Sequence, residues 1–327
     1  MHRRMITKGL KVAAHAVRLA MRFINPEEVQ NRRRRRLQRR TYANPGPNFC
    51  WHMDGYDKLK PFGFAIHGCI DGFSRKVLWL HIGNTNKNPQ VVALYFVRAV
   101  QKYKTQPMLV RCDRGTENIH AEKIQKFMRR FDDDPFAGVN SFMYGRSTAN
   151  QRIEAWWSMF RRQCSNFWIN LFKDMQTAGL IDVEDPVHIE CLRFCFLGLI
   201  QRDVDRMKNE LNTHHIQTKR HLHGIRGKPD KMFYLPEEYN TQSYGKINRH
   251  DELQEIEQEL ESDEGDADVI NLNIVRIATI LLPDWETPEN VEEAQNLYCL
   301  LIQRIALSQK LISKCFGNFP KVSISIK

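Results

Sequence analysis

The spacing of apolar and polar residues changes several times along the chain, and each change predicts a structural element. Short apolar runs typical of strands lie at residues 49–56, 62–70, 76–82, 108–112 and 141–144. Three- and four-residue spacing typical of amphipathic helices covers residues 89–103, 121–131 and 149–175. The resulting order is β-β-β-α-β-α-β-α. It predicts an α/β domain with a mixed five-stranded sheet flanked by helices.

Helical spacing also extends beyond this block, at residues 9–23, 187–211 and 290–312. Residues 251–268 contain ten acidic residues, no basic residue and few apolar ones. We expect this segment to be a solvated tether, either an exposed helix or disordered. The pattern predicts five parts: a basic helical arm (1–45), a central core (46–180), a helical and basic end of the core (181–245), an acidic linker (246–270) and a small helical tail (271–327).

Positive charge is concentrated near the N-terminus. The net charge is +11, and residues 1–44 carry thirteen Lys and Arg against two Glu. The arginine run at residues 32–40 is typical of a nuclear-import signal, and equally of an arm that binds phosphate groups without sequence specificity. We therefore expect a nuclear protein with a nucleic-acid partner.

Two further patterns limit the class of protein. No apolar run approaches the roughly 20 residues of a membrane span, and no apolar block with a small-residue cleavage site follows the basic N-terminus. We expect neither a membrane partner nor secretion. The eight cysteines are scattered without a Cys-x-x-Cys pair, which favours reduced and mostly buried thiols.

Three acidic residues stand in distinctive surroundings within the central block. Asp54 and Asp113 end strand-like runs, and Glu154 lies beside the apolar stripe of the helix at 149–175. A carboxylate triad from two strands and a helix can hold Mg²⁺ or Mn²⁺, which prefer oxygen ligands. Two such ions can activate a nucleophile and stabilise the leaving oxygen in phosphodiester transfer. Without metal the carboxylates repel one another, which predicts loose geometry and raised proton affinity.

The residues around these acids resemble the retroviral-type integrase core found in retroviruses, retrotransposons and many DNA transposons. The matching motifs are Trp-His-Met-Asp-Gly at 51–55, Ile-Asp-Gly-Phe-Ser-Arg at 70–75, Asp-Arg-Gly-Thr-Glu-Asn at 113–118 and Asn-x-x-x-Glu at 150–154. The similarity covers residues 47–175 and continues more weakly over 205–236. The last two acids are further apart than in retroviral enzymes, and we expect the extra residues in a loop at 132–135. Residues 9–25 resemble only the last helix of a helix-turn-helix.

This resemblance implies an RNase H-like fold in which Asp54, Asp113 and Glu154 are the catalytic residues and hold two Mg²⁺ or Mn²⁺ ions. The implied function is that of a DDE-type transposase or integrase, a homo-oligomer that cleaves and joins DNA. The alternatives are a domesticated DNA-binding protein that keeps the fold without strand transfer and, less favoured, an RNase H-type nuclease. The residues expected to contact DNA are Arg32, Arg33, Arg34, Arg35, Arg36, Arg39, Arg40, Asn118, Asn150 and Arg161.

Several neighbouring polar residues compete with this assignment. We expect Asp71 to stabilise a turn, and Asp57 is a spare acid near the sheet. His52 and His67 are interpreted as strand histidines satisfied by their neighbours, with proton transfer as the alternative. Glu117 is expected to shape the loop after the second acid in preference to binding metal.

Two longer segments also allow more than one interpretation. The aromatic stripe at residues 153–175 favours core packing over base stacking. The acidic segment is expected to lie away from the triad. Alternatively it docks on basic residues such as Arg161, Arg162 and Lys219 and competes with DNA. The apolar face of the helix at 290–312 is expected to serve self-association.

Overall fold

The computed structural model describes residue 5 and residues 12–34, 44–145, 150–216, 225–247, 250–263 and 271–316. The chain divides into two compact units, Met1–Ala43 and Asn44–Lys327. No described helix combines the length and the apolar character that crossing a membrane would require.

In the described part of the first unit lie the helices α1 (Ala14–Ile24) and α2 (Pro26–Arg34), and Met5 is also helical. Helix α1 covers the later part of the helix predicted at residues 9–23, of which residues 9–11 lie outside the described residues, and α2 was not predicted. Asn25 separates them, and its side-chain oxygen accepts a hydrogen bond from the backbone N–H of Glu28 at 3.0 Å, which caps α2. The first three arginines of the predicted arm are therefore helical, whereas Arg35, Arg36, Arg39 and Arg40 lie outside the described residues.

The second unit is built on the five predicted strands. They are β1 (Cys50–Tyr56), β2 (Ala65–Asp71), β3 (Val77–Gly83), β4 (Leu109–Asp113) and β5 (Phe142–Gly145). They form one sheet in the order β3-β2-β1-β4-β5. The pairs β1–β2 and β2–β3 are antiparallel, whereas β4 is parallel to both β1 and β5. This confirms the predicted α/β class with a mixed five-stranded sheet and agrees with an RNase H-like fold.

Helices cover both sides of this sheet. They are α3 (Pro89–Tyr103), α4 (Ile119–Met128), α5 (Gln151–Phe160), α6 (Asn166–Thr177) and α7 (Pro186–Thr213). The apolar stripe predicted as one helix at 149–175 is interrupted by a π-helical turn at Arg161–Ser165, which separates α5 from α6. Helix α3 begins as predicted, with the Asn88 side chain accepting from the N–H of Gln90 at 3.0 Å.

Successive side chains along each strand point to opposite sides of the sheet, and each side has its own hydrophobic core. Met53 and Cys112 belong to the core that contains α3 and α4, so we name that side of the sheet the α3 face. Tyr56 belongs to the core that contains α5, α6 and α7, on the opposite side, the α5 face. Since successive strand residues point to opposite faces, Asp54 and Asp113 both point to the α5 face.

The acidic segment is not the solvated tether that its composition predicts. Residues His250–Asp263 form helix α9, which packs against α3, with helix α8 (Pro229–Tyr234) preceding it in the chain. Leu253 and Leu260 are buried in the core of the α3 face, and Arg98 of α3 pairs with Glu257 and Glu261 at 3.0 and 2.6 Å. The prediction of a solvated tether is therefore wrong for residues His250–Asp263. Helix α9 lies on the face opposite the triad, which agrees with the expectation that it avoids those acids.

The C-terminal helices α10 (Leu272–Leu281) and α11 (Val291–Phe316) join the core of the α5 face. Tyr298 and Leu301 of α11 are fully buried there, and the Tyr298 hydroxyl lies 2.7 Å from Nδ1 of His188. The apolar face proposed for self-association is thus partly used within the chain. Leu300 and Leu307 remain exposed.

Smaller features also agree with the sequence. Residues 132–135 form irregular structure held by Arg129, which pairs with Asp132 at 2.7 Å and with Asp134. Residues 132–135 thus lie in a loop as expected, and the placement of the extra residues there stays a prediction. The described cysteines are free, and they are buried apart from the half-buried Cys299.

Candidate active site

Asp54 lies near the end of β1 and faces the first helix of the α5 face. The indole N–H of Trp157 on α5 donates a hydrogen bond to Oδ2 of Asp54 at 2.9 Å. Asp54 pairs in the antiparallel register with Gly68 of β2. A Cβ atom on Gly68 would lie 3.0 Å from the Trp157 ring, so the absence of a side chain there lets the indole lie close above the sheet.

Asp113 is the last residue of β4, the strand that lies beside β1. The chain then turns through Gly115, against which the buried Glu117 carboxylate is folded. Lys87 pairs with Glu117 at 3.5 Å. The pKa of Asp113 is raised by burial and then by the charge of Glu117, while Lys87 opposes the rise. Glu117 therefore shapes this loop as expected, and it also adds negative charge beside Asp113.

Glu154 lies on the exposed flank of α5. The helix is fixed to β1 one turn earlier by Asn150, whose amide nitrogen donates to the carbonyl of Met53 at 2.9 Å. The side-chain oxygen of Asn150 lies 2.6 Å from Nδ1 of His52. These contacts bring the helix that carries Glu154 against the strand that carries Asp54.

Electrostatics link the three carboxylates. The pKa of Asp54 is raised to about 7, first by burial and further by the negative charges of Asp113 and Glu154, whereas the Trp157 hydrogen bond lowers it. Both other carboxylates thus act on the same group, as a convergent triad requires. Burial is the main cause of the raised pKa of Asp54, and the repulsion expected within a metal-free triad adds to it.

The residues fit a divalent cation in chemistry, although they do not form a closed ligand shell. Within the described ranges, no group of three or more His, Cys, Asp or Glu side chains lies close enough together to hold a metal ion. Asp113 and Glu154 add negative charge near Asp54, and all three carboxylates are hard oxygen donors of the kind that Mg²⁺ and Mn²⁺ prefer. The donor set of Asp54, Asp113 and Glu154 fits such an ion in its chemistry, and their role as metal ligands stays a prediction.

The two competing aspartates, Asp71 and Asp57, accept hydrogen bonds from neighbouring residues. The Asp71 carboxylate accepts from the N–H groups of Asn48, Phe73 and Ser74 and from the Ser74 hydroxyl, which confirms its role in the turn. Asp57 accepts from the Asn86 side chain at 2.7 Å.

The two strand histidines are held in their neutral form. Burial lowers the pKa of His52 to about 4 and that of His67 to about 3. His67 accepts from the Trp79 indole at 3.1 Å. The contact with Asn150 agrees with the interpretation of His52 as a satisfied strand histidine, whereas Nε2 of His67 is buried without a hydrogen-bond partner among the described residues, so His67 is satisfied only at Nδ1.

Two of the expected DNA contacts require correction. Asn150 and Asn118 are only 1% and 2% exposed, so neither side chain offers a surface to DNA. Asn150 instead fixes α5 to β1, which explains its position four residues before Glu154. Arg161 is exposed at the start of the π-helical turn, and its Nε donates to Asn166 at 3.4 Å. The side chains of Arg32, Arg33 and Arg34 lie outside the described part of the structure.

Trp157 and Gly68 are the site residues that the sequence pattern did not reveal. The aromatic stripe was interpreted as core packing, which the burial of Trp157 and its ring contact with Tyr56 at 5.1 Å confirm. The indole N–H has a second role. A buried tryptophan three residues after the proposed catalytic glutamate needs an acceptor for that N–H, and this requirement was the available signal.

Comparison with known proteins adds one match. A family model described as "Integrase core domain" matches residues 41–233, more than half of the 327-residue chain. The matched segment contains β1 to β5, α3 to α7 and all three carboxylates. No curated protein matches the chain.

Proposed function

Because this chain belongs to the integrase core domain family, we propose that it is a DDE-type transposase or integrase that cleaves and joins DNA strands. The observation that carries the proposal is the arrangement of the acids: Asp54 and Asp113 lie on neighbouring strands and point to the α5 face, where Asn150 fixes the helix that carries Glu154 to β1. Acidic side chains gathered on one face of a sheet, with a raised pKa at Asp54, favour a site that performs chemistry.

The proposed mechanism assigns the three carboxylates to metal binding. Asp54, Asp113 and Glu154 would hold one or two Mg²⁺ or Mn²⁺ ions, which when bound supply activation of the nucleophile and stabilisation of the leaving oxygen. The chain's own residues contribute position. Trp157 orients Asp54, and Asn150 fixes the helix that carries Glu154. Glu117 keeps negative charge near Asp113.

The test uses supercoiled plasmid, because the DNA ends recognised by this protein are not identified. The purified chain should nick the plasmid and join labelled oligonucleotides to it in Mg²⁺ or Mn²⁺. Asp113→Asn should abolish both reactions while DNA affinity stays nearly unchanged. Asp57→Asn is the matched control, since Asp57 is an exposed acid bonded to Asn86 and should retain activity.

The second candidate is a domesticated DNA-binding protein that keeps the fold without strand transfer. The absence of a closed ligand shell among the described acids favours it. In the plasmid assay this protein would bind DNA without nicking it at any metal concentration. Cleavage restricted to RNA–DNA hybrids would instead indicate an RNase H-type nuclease.

We further propose that residues 1–44 bind DNA phosphates, that the protein acts in the nucleus and that it works as a homo-oligomer. Phosphate binding predicts that deleting these residues flattens the slope of log affinity against log salt. An unchanged slope would assign the arm to nuclear import alone, which a fluorescent fusion of residues 1–44 would test in cells. Mass measurement in solution tests the homo-oligomer, with Leu300 and Leu307 as candidate contacts.

A further inference from the structure

Two adjacent tryptophans on α5 differ in one respect. Trp156 and Trp157 are both 5% exposed and both pack in the core of the α5 face. The Trp156 ring stacks on Phe160 at 5.2 Å, and the Trp157 ring lies 5.1 Å from Tyr56. The N–H of Trp157 donates to Asp54, whereas the buried N–H of Trp156 has no hydrogen-bond partner among the described residues. Packing alone therefore does not explain why Trp157 points its polar edge at the carboxylate.

The sheet is shaped to admit this indole. A Cβ atom at Gly68 would lie 3.0 Å from both the Trp157 ring and the Leu80 side chain, closer than most side chains allow. Gly68 is also the cross-strand partner of Asp54. The missing side chain lies where the ring must pass to reach the carboxylate.

The same hydrogen bond fixes the spacing between two of the three acids. Asn150 attaches the start of α5 to the Met53 carbonyl, and Trp157 attaches its second turn to Asp54. Glu154 lies between these two attachments on the same helix. Rotation or sliding of the helix relative to β1 would break both contacts, so they determine where Glu154 stands relative to Asp54.

We propose that Trp157 is a positioning residue that orients the Asp54 carboxylate for a divalent cation and fixes the distance between Asp54 and Glu154. This inference rests on the proposed function, since it assumes that these carboxylates bind metal. The indole N–H binds Oδ2 of Asp54, and the backbone N–H of Gly55 also donates to this carboxylate, so the two donors hold its orientation while further lone pairs remain for a cation. Hydrogen-bonding partners of metal ligands typically strengthen metal binding in this way.

The experiment measures Mn²⁺ binding to the full chain by electron paramagnetic resonance, in the absence of DNA. Trp157→Phe keeps an aromatic ring and removes the N–H, so the affinity for Mn²⁺ should fall by about tenfold or more. Trp156→Phe makes the same chemical change at equal burial and should leave the affinity unchanged. In the nicking assay, the Mg²⁺ concentration for half-maximal rate should rise for Trp157→Phe, and excess metal should restore the rate.

A second variant separates positioning from simple loss of packing. Gly68→Ala keeps the indole N–H but pushes the ring away from Asp54, so it should weaken Mn²⁺ binding as Trp157→Phe does. Gly198→Ala is its control, because a Cβ there meets nothing within 4 Å. Urea unfolding of all four variants reports whether each one folds.

The outcomes are distinguishable. Wild-type protein that binds no Mn²⁺ would contradict the proposed function itself. Wild-type protein that binds Mn²⁺, together with a folded Trp157→Phe variant of equal affinity and equal Mg²⁺ dependence, would overturn the positioning role alone. Equal losses in Trp156→Phe and Trp157→Phe would also overturn it, since they would assign the effect to packing.

Discussion

Strands β1 and β2 each carry an aspartate near their C-terminal end, and the two carboxylates have opposite surroundings. Asp71 is fully buried and accepts from three backbone N–H groups and one hydroxyl. Asp54 accepts from the Trp157 indole and lies within the field of two other carboxylates. Burial raises the pKa of both groups. Burial alone therefore does not distinguish a functional acid from a structural one. Several hydrogen-bond donors mark the structural carboxylate, whereas neighbouring negative charges mark the functional one.

The largest expected effect follows from replacing Asp54, whose carboxylate is repelled by the charges of Asp113 and Glu154. Asp54→Asn should reduce plasmid nicking by roughly a thousandfold or more, the scale seen when catalytic groups that act together are removed. The free energy of unfolding should not fall, because the amide relieves repulsion from Asp113 and Glu154 and can still accept from Trp157. Nicking rates and urea unfolding at pH 8 test both parts. Substantial destabilisation would place Asp54 with Asp71 among structural acids.

Replacing Asp71, whose carboxylate accepts several hydrogen bonds, should have the opposite effects: a loss of stability and no loss of metal binding. Asp71→Ala leaves the N–H groups of Asn48, Phe73 and Ser74 buried without their acceptor, which should cost about 3 kcal/mol of folding free energy. Mn²⁺ affinity of the folded fraction should stay unchanged. Urea unfolding and metal titration provide the two measurements. Loss of metal binding without loss of stability would contradict the distinction between the two aspartates.

Acid pH should destabilise the strand that carries Asp54. The folded-state pKa of His52, about 4, lies below its ordinary value of 6.5, so the unfolded chain binds the proton first. The stability contribution is complete above pH 6.5 and is lost as pH falls from 6.5 towards 4. By pH 5 the loss from this histidine should be about 2 kcal/mol, because one pKa unit corresponds to about 1.4 kcal/mol.

The matched variant for this prediction is His52→Gln, which keeps a donor for Asn150 and removes the titration. Its unfolding free energy, measured between pH 7.5 and 5, should fall less steeply than that of the wild type by that amount. Parallel curves for the two proteins would show that His52 does not titrate in this way.

The smallest expected effect comes from replacing an acid at the surface. Such an exposed acid serves as the reference for Asp54 and Asp71. Glu261 of α9 is about half exposed and pairs with Arg98 at 2.6 Å. Glu261→Gln should change the unfolding free energy by less than about 1 kcal/mol, because solvent and salt screen such pairs. Leu253→Ala on the same helix is the contrast, since that side chain is fully buried and should cost about 2 kcal/mol or more. If Glu261→Gln lowered the unfolding free energy more than Leu253→Ala does, ion pairs and not apolar burial would hold α9 against α3.

The sequence predicted the elements whose patterns are local. All five strands and the helices between them follow from alternation and helical spacing, and the structure confirms them. The role of Asp71 was also predictable, because an aspartate two to three residues before available turn N–H groups commonly accepts from them.

The errors arose where composition or motif identity replaced geometry. Leu253, Ile256 and Leu260 are spaced at three and four residues within the acidic segment, which is enough to bury one face of α9 although the segment contains few apolar residues. Asn150 was assigned to DNA because its motif specifies the residue type and not the direction of the side chain. The contact between Trp157 and Asp54 joins residues more than a hundred positions apart, so neither pattern contained it.

The bond between Trp157 and Asp54 also places an intrinsic chromophore against the proposed metal site. Indole fluorescence responds to nearby charge, because excitation moves electron density from the pyrrole ring towards the benzene ring. A cation arriving at Asp54 would therefore alter the emission of Trp157. Trp156, whose N–H lacks such an acceptor among the described residues, would supply a steady background. The protein thus carries its own optical indicator of site occupancy, readable without an added label.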